Sequence, residues 1–276
     1  MAGSRVTVQD LVSGIDAVYP YAQAEPWDRV GLLLGDAQAS VTGVVCALEP
    51  RLETLDFAHE KGANVIVSHH PAFVESPSTF TEQGAYAGRV VQKASRLGIS
   101  LVNAHTNLDV STDARRTIGD HLGLIGYHEA KEVSDSKEPE RLSRYASQWQ
   151  TTVPRSLAEF ARFVQHKYGA CPRVYGDKQK PIVSVMTSTG AGGCHCGDAA
   201  LNQADVLITG EAKYHDALAA LECGVAVIEL GHDVSEWPLV ALLKDAILAQ
   251  TFLSPERIFD APNTPVWWTE TGEIHV

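Results

Sequence analysis

Along this chain, short β-branched apolar runs alternate with stretches whose apolar residues recur at helical spacing. Val8, Leu11, Val12, Ile15 and Val18 recur every three or four residues behind Thr7, which predicts an amphipathic helix with a threonine cap. Residues 41–48 predict a strand, followed by a helix running to Gly62, a glycine suited to a C-terminal cap. Residues 63–68 predict a second buried strand that ends directly at His69-His70. A helix over about 85–97 follows, then Gly98, a strand over 99–104 ending at His105, and a helix over about 113–122.

Residues 129–140 (EAKEVSDSKEPE) break this rhythm, because they are polar and charged with nothing apolar enough to anchor a core. They are expected to be a linker or exposed crossing. Beyond them, residues 142–153 predict an extended stretch, and Ser156 with Glu159 predicts a capping-box start for a helix ending near Gly169. Strands are expected at 173–175, 182–187, 206–209 and 225–230, with a helix over about 211–223 and a closing helix after Gly231-His232. Val266-Trp267-Trp268 predicts a final strand, although two adjacent tryptophans suit a partner subunit equally well.

Strand–helix repetition of this kind calls for an α/β fold: two α/β lobes, with mainly parallel sheets flanked by helices. A length of 276 residues suits two linked lobes. The expected division is residues 1–128 plus 229–276 as the first lobe, 141–228 as the second, and 129–140 between them.

Charge narrows the partners. With 22 Lys and Arg against 34 Asp and Glu, the net charge is −12, and no long basic run occurs, so direct nucleic-acid binding is not expected. A small anionic substrate stays compatible, because a bound divalent cation reverses the local field. No apolar run approaches the roughly 20 residues of a membrane helix, and MAGSRVTVQD lacks a signal-peptide core, so the protein reads as cytoplasmic, without a membrane partner. Five cysteines in a chain of this length do not make a disulfide framework. Cys46 and Cys223 read as small core residues, which leaves Cys194-His195-Cys196 as the remaining group of interest.

Candidate chemistry collects at strand ends. ANVIVS runs into His69-His70, ISLVNA into His105 and onward to Asp109, and VAVIEL into Gly231-His232. In open parallel sheets, ligands bind just beyond the C-terminal edge, where loops and helix starts converge. His232 and Glu236 stand four residues apart on a predicted helix and share one face, and His105 and Asp109 have the same spacing. Imidazole and carboxylate without thiolate suit Zn, Fe, Mn or Ni. Five to seven donors exceed the three protein ligands of a typical catalytic zinc. Two divalent cations fit better, and a bridging carboxylate holds such a pair about 3.5–4 Å apart. His59, His121, His128, His166 and His275 read as ordinary surface or core histidines.

Five segments together resemble a known family: Trp27 to Gly35 (WDRVGLLLG), Ser68 to Pro71 (SHHP), Asn103 to Asp109 (NAHTNLD), Thr209 to Ala217 (TGEAKYHDA) and Gly231 to Glu236 (GHDVSE). They are similar to the NIF-three family, also called GTP cyclohydrolase I type 2 homologues or dinuclear-metal hexameric proteins. The motifs recur in family order over nearly the whole chain. The resemblance implies two α/β lobes with a two-metal centre in the cleft between them, and a homohexameric ring. It implies His69, His70, Asp109, His232 and Glu236 as the metal ligands. It places His105 in the metal motif, as a ligand or proton carrier, and His215 in the same cleft as a candidate general acid or base.

The sequence departs from the family pattern at Glu49-Pro50, where an aspartate usually closes the strand, and at Asp233, where an aromatic is common. It departs most in the turn Thr189 to Gly197 (TGAGGCHCG), whose backbone N–H groups could cradle a phosphate as readily as connect a strand to a helix.

The leading functional expectation is a metal-dependent hydrolase acting on a nucleotide-like or phosphorylated small molecule, with GTP ring opening suggested by the family label. The alternative is a non-catalytic metal-binding adaptor or regulatory assembly that recruits protein partners. A weaker third is a thiol-based redox role for Cys194 and Cys196.

Overall fold

A computed structural model describes residues 5–133, 141–251 and 253–268. It divides into two compact units, Met1–Ser111 with Pro238–Pro262 and Thr112–Trp237 with Asn263–Val276.

The first unit opens with helix α1 (Val8–Val18), whose cap is reciprocal: Thr7 Oγ1 accepts the Asp10 N–H, and the Asp10 carboxylate accepts the Thr7 N–H. Five strands follow: β1 (Gly31–Leu34), β2 (Val44–Ala47), β3 (Val65–Ser68), β4 (Ser100–Asn103) and β11 (Ile258–Asp260). Their order is β1-β4-β3-β2-β11, parallel throughout except for the antiparallel β1–β4 pair. Alternate residues Val45, Ala47, Ile66 and Leu101 pack under α2 (Leu52–Glu60) and α3 (Tyr86–Leu97). Val44, Cys46, Val65, Val67 and Val102, pointing the other way, are buried as well, so both faces of the sheet are covered. Helix α3 ends where Gly98 takes φ +66°, a left-handed conformation that costs glycine little.

The second unit contains helix α5 (Thr112–Leu122) and a sheet of β5 (Ile125–Glu132), β6 (Arg141–Ser156), β7 (Arg173–Tyr175), β8 (Pro181–Ser188), β9 (Val206–Thr209) and β10 (Ala226–Glu229). Its order is β5-β6-β8-β9-β10-β7. This sheet is mixed rather than mainly parallel: only β8–β9 and β9–β10 run parallel. Val206 and Ile208 face α5 and α6 (Leu157–Tyr168), whereas Leu207 between them faces α7 (Cys196–Leu201) and α8 (Tyr214–Glu222). The expected Ser156–Glu159 capping box is present at the start of α6, and Gly169 closes that helix at φ +65°.

Several expectations need correction. Residues 129–132 are not linker but the second half of β5, with Glu129 opposite Ser147 and Ala130 buried in the core beside Ala146; residues 134–140 lie outside the described residues. Polar composition hid this half of the strand because Ala130 is the one fully buried residue among 129–132. The units also divide earlier than expected, at Ser111, because Ile118 and Leu122 of α5 pack into the core of the second unit. Residues 266–268 form no strand. Instead the Trp267 ring packs on that core and its Nε1–H donates to Asp233 Oδ1 at 2.9 Å, while Trp268 is exposed. Cys223 is exposed at the end of α8 rather than buried. Helix α9 (His232–Gln250) starts in the second unit and carries Pro238, where the chain passes into the first.

Candidate metal centre

In the first unit, the parallel register of β2, β3 and β4 sets Ala47, Ser68 and Asn103 side by side at the last paired positions. Glu49, His69-His70 and His105 therefore leave the sheet along one edge. Backbone hydrogen bonds carry the alignment past the strands, from His69 N–H to Ala47 O (3.1 Å), His70 N–H to Leu48 O (2.8 Å) and Ala104 N–H to Ser68 O (3.1 Å). The donor atoms of His69, His70 and His105 all lie within 4.8 Å of one another.

His69 is fully buried, and its Nδ1 lies 3.1 Å from the Ala104 carbonyl. A carbonyl only accepts, so Nδ1 bears a proton and donates it, which leaves Nε2 as the ring atom that faces the cluster. That Nε2 stands 3.4 Å from Asp109 Oδ1, beyond the roughly 2.7–2.9 Å of a charge-assisted hydrogen bond. An imidazole nitrogen and a carboxylate oxygen converging in this way are donors suited to a divalent cation. On this observation the donor set fits a divalent metal. Asp109 reaches it because residues 106–109 form a single turn, α4 (Thr106–Asp109), with the Asp109 N–H bonded to His105 O at 3.0 Å.

His105 has a partner that the spacing arguments did not identify. Its Nδ1 lies 2.9 Å from Asp28 Oδ1, while Asp28 Oδ2 accepts the Thr106 N–H (3.0 Å) and hydroxyl (2.6 Å). Burial favours the protonated Asp28 carboxyl, but the hydrogen bonds from His105 and Thr106 outweigh it and hold the group well below the usual carboxylate range. A carboxylate on Nδ1 orients the imidazole and leaves its other nitrogen toward the cluster. Asp28 belongs to the Trp27–Gly35 motif, so the signal was present without an assigned role. The NAHTNLD motif explains itself similarly: the Asn103 side chain donates to Arg29 O, Asn107 donates to Tyr19 O, and Thr106 accepts the Glu25 N–H. These residues pin the loop that carries Asp28. The extra methylene of Glu49 does not waste its carboxylate, because Oε1 lies 3.5 Å from His70 Nδ1.

The second unit repeats the device on its own sheet. Parallel β8, β9 and β10 align Ser188, Thr209 and Glu229, so Gly190, Glu211 and His232 leave along one edge. His232 and Glu236 share a face of α9, with Nε2 and Oε2 3.0 Å apart, and His232 Nδ1 lies 3.2 Å from Glu211 Oε2. Glu236 is nearly fully buried. The glycine-rich loop backs it closely: a Cβ on Gly190 would lie 2.1 Å from Glu236 Oε1, and the Gly190 N–H donates to Ser235 Oγ at 2.9 Å. Gly193 N–H donates to Glu211 O at 2.9 Å. These two amides are engaged inside the fold, which argues against the phosphate-cradle reading of the loop. His215 stands exposed in the first turn of α8, edge-on to the Tyr214 ring with centroids 5.3 Å apart.

Residues 6–257 match the family described as Duf34/NIF3 (NGG1p interacting factor 3). This chain belongs to that family. It is 29% identical over 238 residues to a Clostridium acetobutylicum protein named GTP cyclohydrolase 1 type 2 homolog, covering 86% of this chain and 87% of the relative. A Streptomyces coelicolor protein of the same name is 27% identical, covering 84% and 82%. Among solved structures, a hypothetical protein of Staphylococcus aureus superposes with a TM-score of 0.83 at 26% identity, over 96% of this chain and 100% of that one. A Bacillus cereus protein related to NIF3 superposes with a TM-score of 0.82 at 17% identity, over 96% and 99% respectively, a likeness of fold alone. As a Duf34/NIF3 member the chain has a two-lobe α/β fold, and it carries His/Asp/Glu groups able to hold a metal, His69, His70 and His105 of the first unit among them. Among the described residues no helix is long and apolar enough to cross a membrane.

Proposed function

We propose that this Duf34/NIF3 protein is a metal-dependent hydrolase of a nucleotide-like or phosphorylated small molecule, with His69, His70, Asp109, His232 and Glu236 as ligands of two divalent cations. The observation that carries the reading is the buried His69 ring, whose Nδ1 is engaged by Ala104 O and whose Nε2 faces Asp109 in a cluster of metal-competent donors. The relatives' name, GTP cyclohydrolase 1 type 2 homolog, supports a nucleotide-like substrate. Bound divalent cations supply charge stabilisation and a nucleophilic water at neutral pH.

The chain's own residues do the rest. His69 and Asp109 fix a dry anchoring point, and His105, oriented by Asp28, offers an imidazole to take or return a proton at the cluster edge. His215, exposed in the first turn of α8, is the second proton carrier of this reading.

The test is metal analysis and a broad hydrolysis screen (nucleotides, phosphoesters, amides) on metal-reconstituted wild type beside Asp109→Ala. Wild type should retain about two ions per chain and turn over at least one compound. Asp109→Ala should lose metal and lower turnover by at least about 100-fold, with an unchanged circular dichroism spectrum. Full metal occupancy without turnover of any compound would overturn hydrolysis and leave the adaptor role. Activity equal to wild type in the variant would overturn the ligand assignment.

A further inference from the structure

At the rim of the first unit's histidine cluster stands a tryptophan that the core does not use. Trp27 is 56% exposed, although an indole is among the largest apolar groups a chain can bury. Its ring lies edge-to-face beside His105, with centroids 6.1 Å apart and planes at 77°. The His105 ring in turn lies 5.2 Å from that of His69 and 5.6 Å from that of His70. The indole is therefore one ring removed from the donor atoms of the cluster.

Slack backbone does not account for the exposure. The Glu25 N–H donates to Thr106 Oγ1 at 2.9 Å, and the Asp28 N–H donates to Glu25 O at 2.9 Å. The Asp28 carboxylate accepts from His105 and from both the N–H and the hydroxyl of Thr106. Arg29 O accepts the Asn103 side-chain N–H at 2.9 Å. Trp27 sits in the middle of this fastened turn. The same bonds that orient His105 hold the indole in water beside it.

A ring in this position is covered either by a protein surface or by a ligand. The centre of a protein interface is apolar and depleted of charge. Here Glu25, Asp28 and Arg29 share the turn with Trp27, and three imidazoles lie beyond it. One aromatic plate among convergent polar groups is instead the make-up of a small-molecule site. Charge narrows the ligand further. A chain of net charge −12 gives a phosphate no favourable overall field, so affinity must also come from a contact that carries no net charge. Stacking on an indole supplies one, because every nucleobase has a π-face.

We propose, on the reading of the histidine cluster as part of the substrate site, that Trp27 is the stacking platform for a heteroaromatic ring of the substrate. The ring, a nucleobase or one of similar size, lies on the indole while the rest of the molecule reaches the cluster past His105. Trp27 thereby selects phosphates that bear such a ring over those that lack it.

Binding rather than turnover tests this. The metal-loaded chain is titrated by calorimetry with guanosine 5′-monophosphate and with ribose 5-phosphate, which keeps the sugar and phosphate but lacks the base. Wild type should bind the nucleotide at least about fivefold more tightly. Trp27→Ala should lower nucleotide affinity to that of the sugar phosphate, with metal content and sugar-phosphate affinity unchanged. Trp27→Tyr should restore most of the preference. The nucleotide should also quench a fluorescence signal present in wild type and missing from Trp27→Tyr. Added salt should leave the Trp27→Ala deficit unchanged, since stacking carries no net charge. Equal affinity of wild type for the two ligands, or no saturable nucleotide binding at millimolar concentration, would overturn the proposal. So would a Trp27→Ala variant that binds the nucleotide like wild type; a lowered native mass in that variant would assign the indole to a contact between copies of the chain. A chain that holds the base through Trp27 yet turns over nothing refutes hydrolysis alone. One that hydrolyses phosphoesters without a ring as readily as nucleotides refutes the platform alone.

Discussion

His69 and His105 show how a neighbouring acceptor turns an ambiguous ring into a directed ligand. Each has its Nδ1 proton taken, by the Ala104 carbonyl and the Asp28 carboxylate respectively. Removing the charge from Asp28 should release that control. Asp28→Asn is expected to mix the His105 tautomers, visible in long-range ¹H–¹⁵N spectra of the ring, and to lower activity about 10–100-fold. A wild-type ring spectrum in the variant would show that Asp28 does not set the tautomer. Elsewhere His195 yields a pH prediction. Its folded value of about 9 lies above its ordinary 6.5, so its stabilising contribution is complete below pH 6.5 and is lost as pH rises through 9. His195→Gln should therefore be less stable than wild type by about 1.5–3 kcal/mol at pH 6, and denaturation midpoints should converge by pH 10.

Single elements deliver these side chains by register and closure. Parallel pairing aligns the ends of β2, β3 and β4 and, separately, of β8, β9 and β10, so residues far apart in sequence leave the sheets together. Gly190 is the tightest point of the second edge, with φ +58° and no room for a Cβ against Glu236. Gly190→Ala should displace the Glu236 carboxylate and weaken metal binding about 10–100-fold, measured by competition with a chromophoric chelator. Unchanged affinity would show that the loop does not position Glu236. The strands that deliver ligands were legible because each is a continuous β-branched run bounded by glycine or polar residues. The second half of β5 was not legible, because in residues 129–132 of this edge strand only Ala130 is fully buried.

For the whole molecule, the two units have separate cores and each carries its own polar edge. The homohexamer that the family resemblance implies would have a native mass six times the 29.8 kDa of the chain, measurable by native mass spectrometry; a monomer at micromolar concentration would refute it. Sequence by itself determined the α/β class, the capping boxes, the strand ends bearing histidine and the His232–Glu236 pair, because all of these are local: period, cap chemistry and helical spacing are set within a few residues. Only the tertiary structure decided that Asp28 orients His105, that Glu49 reaches His70, that Trp267 docks on Asp233, and that a buried His195 pairs with a buried Asp198. Asp28–His105, Glu49–His70 and Trp267–Asp233 each join segments distant in the chain. The His195–Asp198 pair is local in sequence, yet its character comes from the burial of both members, and burial is a property of the packed fold.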